Sequence, residues 1–299
     1  MIENLLLGIA GLIGGFIAGL TGIGTGFIML SIIPLVLTHY GVPESYAVSV
    51  TIANSIFATM VSSFANMATT IRQRAFYPKE LLWTSLSAVI ISFIVFELVA
   101  KSELYSKDFF NAVVVLFMFI IIFQTFKKLR LSNPKDEHVT TGKLLVTGGT
   151  AGAAAALTGL GGGTLIIPML NLWQRVDILK AKSISFGTIF AIALWLSINN
   201  LFLEPTNAIP HTKGLIVLPM ILPLSIGVLI GSPLGVLSSH KISARTVTIL
   251  FLIIISLVAI QKIAELVWLE NCKFCLFKYV CMKSNVLPTL HYEIQIPHC

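Results

Sequence analysis

The sequence predicts an all-α polytopic membrane protein built from two inverted-topology repeats. Each repeat is a glycine-broken helical hairpin, re-entrant or short, followed by three transmembrane helices. Three observations predict this. Of 299 residues, 56% are hydrophobic and 11% charged, roughly half the charged share of an average soluble domain. The glycine-rich run Leu20-Thr21-Gly22-Ile23-Gly24-Thr25-Gly26 returns in the second half as Leu157-Thr158-Gly159-Leu160-Gly161-Gly162-Gly163. Basic residues, finally, sort into alternate connections between the apolar segments.

The first half reads as short apolar arms at about 5–20 and 24–38 around the break, then helices near 46–69, 80–100 and 109–127. The second reads as arms near 144–158 and 163–174, then helices near 182–203, 214–238 and 245–268. Met1-Ile2-Glu3-Asn4 carries no positive n-region, so residues 5–20 read as part of the fold rather than as a signal peptide. An arm of ~15 residues falls short of a ~30 Å hydrocarbon core. The expectation is a re-entrant hairpin with its tip at mid-membrane, walled by protein; a tilted full crossing is the alternative. A single constant offset also aligns Ala47 with Ala181, Ser49 with Ser183, Ser63 with Ser197, Asn66 with Asn200 and Lys79 with Lys213. Several anchors at one offset indicate duplication. The units are therefore residues 1–130, a linker at 131–143, residues 144–268, and a tail at 269–299.

Charge sets the expected orientation. Thirteen basic residues fall in the connections 70–80, 127–143, 175–182 and 239–245, including Arg72, Arg74, Arg175, Lys180 and Lys182. The connections 39–45, 101–108 and 204–213 hold only Lys101, Lys107 and Lys213. The first group is read as cytoplasmic and both termini as outside, in a bacterial inner membrane. Lys273, Lys278 and Lys283 mildly oppose this. A hairpin plus three crossings is odd in number, as are five crossings, so the second half sits upside down relative to the first. The net charge of +7 follows from this topology and calls for no nucleic acid partner.

Matched, glycine-interrupted segments in two halves point to a transporter's binding site. The candidate binding residues are Thr21, Gly22, Gly24, Thr25, Gly26, Thr158, Gly159, Gly161, Gly162 and Gly163 at the breaks, with the repeat-matched pairs Ser49/Ser183 and Asn66/Asn200. Half-helix N-termini offer unpaired N–H groups and a partial positive charge, which suits a small oxyanion. Thr21, Thr25, Thr158 and Thr164 would add hydroxyl donors, with Asn54, Ser62, Ser63, Ser185, Thr188, Ser197 and Asn199 near by. The plainer reading of the glycines is close helix packing; the flanking Gly11, Gly15, Gly148 and Gly152 argue for the break instead. A nucleotide site is a poor reading, because no P-loop lysine, no ribose-binding acid and no soluble α/β pattern accompany the motif.

The predicted helix centres lack Lys, Arg, Asp and Glu. Glu97, one turn from Lys101, reads as an interfacial ion pair rather than a proton relay. A site of amides and hydroxyls could release its anion because no buried cation holds it. All four cysteines (Cys272, Cys275, Cys281 and Cys299) lie in the tail with His291 and His298. Their spacing is not a clean zinc pattern, and a disulfide fits an outside tail as well. No metal, cofactor or enzymatic activity is expected.

At these residues the chain resembles the TauE/SafE-type sulfite exporter (4-toluene sulfonate uptake permease) family. The match rests on the paired Leu-Thr-Gly-x-Gly-x-Gly motif, on Gly163-Thr164-Leu165-Ile166-Ile167-Pro168, and on Ala-x-Ser at 47–49 and 181–183, across roughly residues 5–265. The resemblance implies an inner-membrane carrier exporting sulfite, thiosulfate or organosulfonates. Thr25 in place of a glycine, and Ser31 where the second repeat has Pro168, set the two tips apart. An interior-negative potential favours anion exit by ~2.3 kcal/mol per charge per 100 mV. Import of the same anions and an accessory or sensor role without transport are the alternative readings, and a second copy of the chain is a candidate partner.

Overall fold

A computed structural model describes residues 2–37, 40, 42, 46–100, 107–130, 139–203, 212–239, 241–242 and scattered positions from 246 to 263. The elements in chain order are α1 (Ile2–Thr21), α2 (Gly26–Leu37), α3 (Ala47–Arg72), α4 (Pro78–Val95, continued by a π-helical turn Phe96–Ala100), α5 (Lys107–Arg130), α6 (Thr141–Thr158), α7 (Gly163–Pro168, continued by a π-helical turn Met169–Trp173), α8 (Ile178–Phe202), a hairpin of β1 (Thr212–Lys213) and β2 (Ile216–Val217), and α9 (Leu218–Ser238). Five of these helices, α1, α3, α4, α8 and α9, are long and apolar enough to cross a membrane. The protein is an all-α, multi-pass membrane protein.

Burial is arranged inside out relative to a soluble protein. The exposed faces of α1, α4 and α9 are apolar: Leu5, Ile9 and Ile13; Leu82, Leu86 and Ile90; Leu222, Ile226 and Ile230. The buried interior is studded with polar side chains, most densely on α3 (Thr51, Asn54, Ser55, Thr59, Ser62, Ser63, Asn66) and on α8 (Lys182, Ser183, Ser185, Thr188, Ser197, Asn200). Apolar surface costs nothing against lipid tails, whereas polar groups must find partners inside.

Among the described helices, the main packing pairs recur when the halves are exchanged. α1 packs on α9 and α6 on α4; α3 packs on α9 and α8 on α4; α2 packs on α3 and α7 on α8; α3 packs on α8. Small residues make the outer pairs close. A Cβ added at Gly11 or Gly19 would collide with the carbonyls of Leu224 and Ser232, and one at Gly227, Gly231 or Gly235 with those of Gly8, Leu12 and Phe16. A Cβ at Gly148 or Gly152 would collide with the carbonyls of Thr84 and Ala88. In each pair both numberings rise together, so the helices run parallel. Gly11, Gly15, Gly148 and Gly152 thus serve helix packing rather than the break.

The two central helices run antiparallel. At one end the Ser183 hydroxyl donates to the carbonyl of Ala75, and Lys180 pairs with Glu80 at 3.0 Å and lies over the Tyr77 ring at 5.1 Å. At the other end Asn54 of α3 donates to the Leu215 carbonyl (3.0 Å) and accepts from the Val217 amide (3.0 Å). Leu215 in turn donates to the Asn200 carbonyl of α8 at 3.0 Å. Residues 70–80 and 175–182 therefore meet at one end. One apolar cluster joins Leu7 of α1, Leu37 of α2 and Val42 to Leu215, Ile216 and Val217. A second joins Leu144 of α6 and Leu170 of the α7 turn to Val176, with Tyr77 against it.

Several element boundaries differ from expectation. The first arms are longer than their apolar runs suggest: α1 has 20 residues and α6 has 18, while α2 has 12. The segment expected as a helix from 214 opens as the β1–β2 hairpin, because Gly214 (φ +60°) turns the chain and Asn54 holds Leu215 of the turn and Val217 of the second strand. Helix α8 starts at Ile178 rather than 182, since Asp177 caps it by accepting from the Leu179 amide at 2.8 Å. The cysteine tail, the 131–138 part of the linker, Lys101, the 204–211 connection and much of the expected crossing at 245–268 lie outside the described residues.

Candidate functional site

The two glycine breaks meet at the middle of the central helices. Gly24 would present an added Cβ to Thr59 Cγ2 at 3.3 Å and Ile189 Cδ1 at 3.9 Å; Gly161 would present one to Thr59 Cγ2 at 2.6 Å and Ile189 Cγ2 at 3.3 Å. Thr59 is the thirteenth residue of α3 and Ile189 the twelfth of α8. The breaks also touch each other. A Cβ on Gly26 would lie 2.6 Å from the Gly159 carbonyl, and one on Gly163 would strike that of Ile23.

Local chemistry forces the breaks. Gly22 (φ +84°), Gly24 (φ +100°), Gly159 (φ +69°), Gly161 (φ +79°) and Gly162 (φ +75°) occupy backbone space that side chains rarely adopt. Equivalent hydrogen bonds end and restart the helices. The amides of Gly22 and Gly159 donate to Ala18 and Ala155, those of Ile28 and Met29 to the Thr25 carbonyl, and those of Leu165 and Ile166 to the Gly162 carbonyl. Thr25 is the exception to the matching: its φ is not positive, and its hydroxyl pairs with Thr59 at 3.2 Å.

The tips use their carbonyls and leave amides over. Ser185 donates to the Gly22 carbonyl (2.9 Å), Lys182 to that of Leu20 (2.7 Å), and the Ser55 hydroxyl lies 3.2 and 3.0 Å from those of Gly26 and Gly159. Among the described residues, no acceptor is paired with the amides of Ile23, Gly24, Gly161 or Gly162. These residues are buried. Buried amides without acceptors in a low-dielectric interior carry an unbalanced partial positive charge.

The structure brings together Thr21, Gly22, Gly24, Thr25, Gly26, Thr158, Gly159, Gly161, Gly162 and Gly163, and separates the rest. Asn66 lies one turn behind the first tip, where its Oδ1 would be 3.0 Å from a Cβ on Gly19; its Nδ2 donates to Ser62 at 3.3 Å, and Oδ1 has no partner among the described residues. Asn200 is eleven residues beyond Ile189, about 16 Å along the helix, with Nδ2 buried and unpartnered among the described residues. The two asparagines lie toward opposite ends of the antiparallel pair. Ser49 is exposed at the start of α3, and Ser183 is spent on Ala75. Thr21 and Thr158 donate back to Ile17 and Ala154 (2.8 and 2.6 Å), so their hydroxyl protons are used within their own helices.

One residue overturns an expectation. Lys182 is not a loop cation. It lies in the second turn of α8, 8% exposed, and it is the buried charged side chain among the described residues. The extra α8 turn capped by Asp177 draws it inside. The interior near the tips therefore does hold a cation. The signal was in the duplication: the constant offset sets Lys182 against Val48, a charge against an apolar residue within the Ala-x-Ser match. Glu97 is exposed on the π-helical turn, away from the tips.

An apolar exterior, a polar interior and paired helix breaks meeting at the centre are features of a membrane transporter. Residues 7–262 match the family model of the sulfite exporter TauE/SafE, and the chain belongs to that family. It is similar to a probable membrane transporter protein of Methanocaldococcus jannaschii, with 24% identity over 82% of this chain and 90% of that protein. It is also similar to a probable membrane transporter protein of Haemophilus influenzae, with 28% identity over 85% of this chain and 96% of that protein.

Proposed function

We propose that this transporter moves small sulfur oxyanions, such as sulfite, thiosulfate or a small organosulfonate, outward across a bacterial inner membrane, holding the anion at the two glycine tips. The observation that carries the reading is the imbalance there, with carbonyls taken by Ser55, Ser185 and Lys182 while amides are left for a ligand. Backbone N–H groups bind an oxyanion through several directed hydrogen bonds. The family's sulfite name agrees with this chemistry.

The mechanism rests on an inverted repeat. The exchange-invariant packing and the antiparallel α3 and α8 support it, as does the sharing of one apolar cluster by the start of α1 and the end of α2. In this reading each hairpin enters and leaves by the same face, with a long first arm and a short return. Residues 1–130 and 144–268 rock against each other about the tips. Asn66 then lines the approach from the cytoplasm and Asn200 the exit, with both termini outside. The membrane potential drives exit of the anion.

The test is flux in vesicles reconstituted with the full chain. Sulfite loaded inside should leave faster under an interior-negative potential and slower when the potential is reversed. Flux that is indifferent to the potential contradicts uncoupled export, and faster uptake against the potential identifies an importer.

A further inference from the structure

The geometry points to Lys182 as the residue that gives the tip site its charge selectivity, admitting oxyanions from the face that carries residues 70–80 and 175–182. The inference rests on the oxyanion-transport reading above. Three observations carry it. The first is position. The Lys182 ammonium is 2.7 Å from the Leu20 carbonyl, and its side chain runs beside the first tip, where a Cβ on Gly22 would lie 2.7 Å from Lys182 Cγ. The charge is therefore fixed within a few residues of the unpaired amides of Ile23 and Gly24.

The second is the charge itself. The buried side chains among the described residues include this cation and no Asp or Glu. A positive charge beside a nest of amides adds to their dipoles, and a low-dielectric surround strengthens both. The location is costly for a structural lysine, because the first turns of α8 carry the positive end of that helix's own dipole. The carbonyl end of α1 supplies the anchor that holds it there.

The third is asymmetry. The repeat-equivalent position is Val48, so among the described residues the buried charge stands on one side of the tips. It stands at the end where Ser183 meets Ala75 and Lys180 meets Glu80. Duplication made two similar amide tips, and Lys182 makes one approach to them electropositive.

The experiment uses purified full-length protein, with sulfite (partly dianionic near neutral pH) and methanesulfonate (monoanionic) as probes. Two readouts are taken: flux in vesicles and the rise in unfolding temperature with added anion. Lys182→Met keeps the stem beside Gly22 and removes the charge. It should raise the KM for sulfite about tenfold or more, and that for methanesulfonate less. Lys182→Arg should retain the sulfite preference. Lys180→Gln, which removes a charge at the surface end of the same helix, should leave that preference unchanged. An unaltered KM ratio in a Lys182→Met protein that still transports overturns the inference alone. Anion-dependent stabilisation in wild type that disappears in Lys182→Met, without wild-type flux, overturns transport and retains the lysine's role. Neither flux nor stabilisation with either anion in wild type overturns both.

Discussion

At the residue scale, function turns on places where a side chain cannot be added. Gly24, at φ +100° and facing Thr59, is one. Gly24→Val should abolish flux while the protein remains folded in the membrane, because a β-branched side chain neither accepts this φ nor leaves room for an anion at the amides. Flux assays on detergent-monodisperse protein check this. The asparagines test the approaches. Asn66→Leu and Asn200→Leu should each raise the sulfite KM more than Glu97→Gln does, since Asn66 Oδ1 and Asn200 Nδ2 are buried without partners among the described residues and Glu97 is exposed. Loss of transport in Glu97→Gln with both asparagine variants unaffected would move the mechanism to a coupled proton. The break residues were legible in the sequence because glycine at Gly22, Gly24, Gly159 and Gly161 has few reasons to recur at matched positions. Lys182 was less so, because charge counting assigns every lysine near a helix end to a loop; its pairing with the apolar Val48 at the constant offset was the one sequence signal, and the depth of α8 shows its burial.

At the scale of elements, buried polar side chains tie the scaffold together. Asn54 makes three hydrogen bonds, to Val50, Leu215 and Val217, and so joins α3 to the β1–β2 hairpin. Asn54→Ala leaves a buried carbonyl and a buried amide unpaired. It should destabilise the protein by about 2–4 kcal/mol, read from thermal unfolding, with little change in anion selectivity. The α1–α9 seam makes a second test. Gly231→Leu pushes α1 away at Leu12 and should lower the unfolding temperature sharply, whereas Gly142→Ala, with nothing within 4 Å, should not. The helices themselves were readable from hydropathy and spacing. The hairpin at 212–217 was not, because its turn depends on Asn54, a residue of the other half of the chain. The roles of Gly11 and Gly148 were also hidden, since one glycine spacing serves a break and a packed seam alike.

At the scale of the whole molecule, two halves of one design meet with their central helices antiparallel. The proposed inverted topology makes a labelling prediction. Ala75→Cys and Asp136→Cys should react with an impermeant thiol reagent from the cytoplasm, and Ala208→Cys from outside, in a background where the four native cysteines are replaced. Labelling of positions 75 and 208 from the same face would contradict inversion. The proposed duplication rests in the sequence on Ser63/Ser197 and Asn66/Asn200, which keep one offset. The distance between Asn66 and Asn200 was not, since sequence aligns equivalent positions and an antiparallel arrangement sends them to opposite ends.

The central claim is that small sulfur oxyanions cross this protein through the amides of the two glycine tips. Its most direct measurement is sulfite efflux from vesicles under an interior-negative potential, comparing wild type with Gly161→Val at equal amounts of folded protein. Gly161 sits at φ +79° with Thr59 Cγ2 2.6 Å from an added Cβ, so the variant closes the tips without touching Lys182 or either asparagine. Wild type should show potential-driven efflux, inhibited by a small sulfonate and little affected by chloride, and Gly161→Val should show efflux at the protein-free rate. Equal sulfite efflux from wild type and Gly161→Val would contradict the central claim.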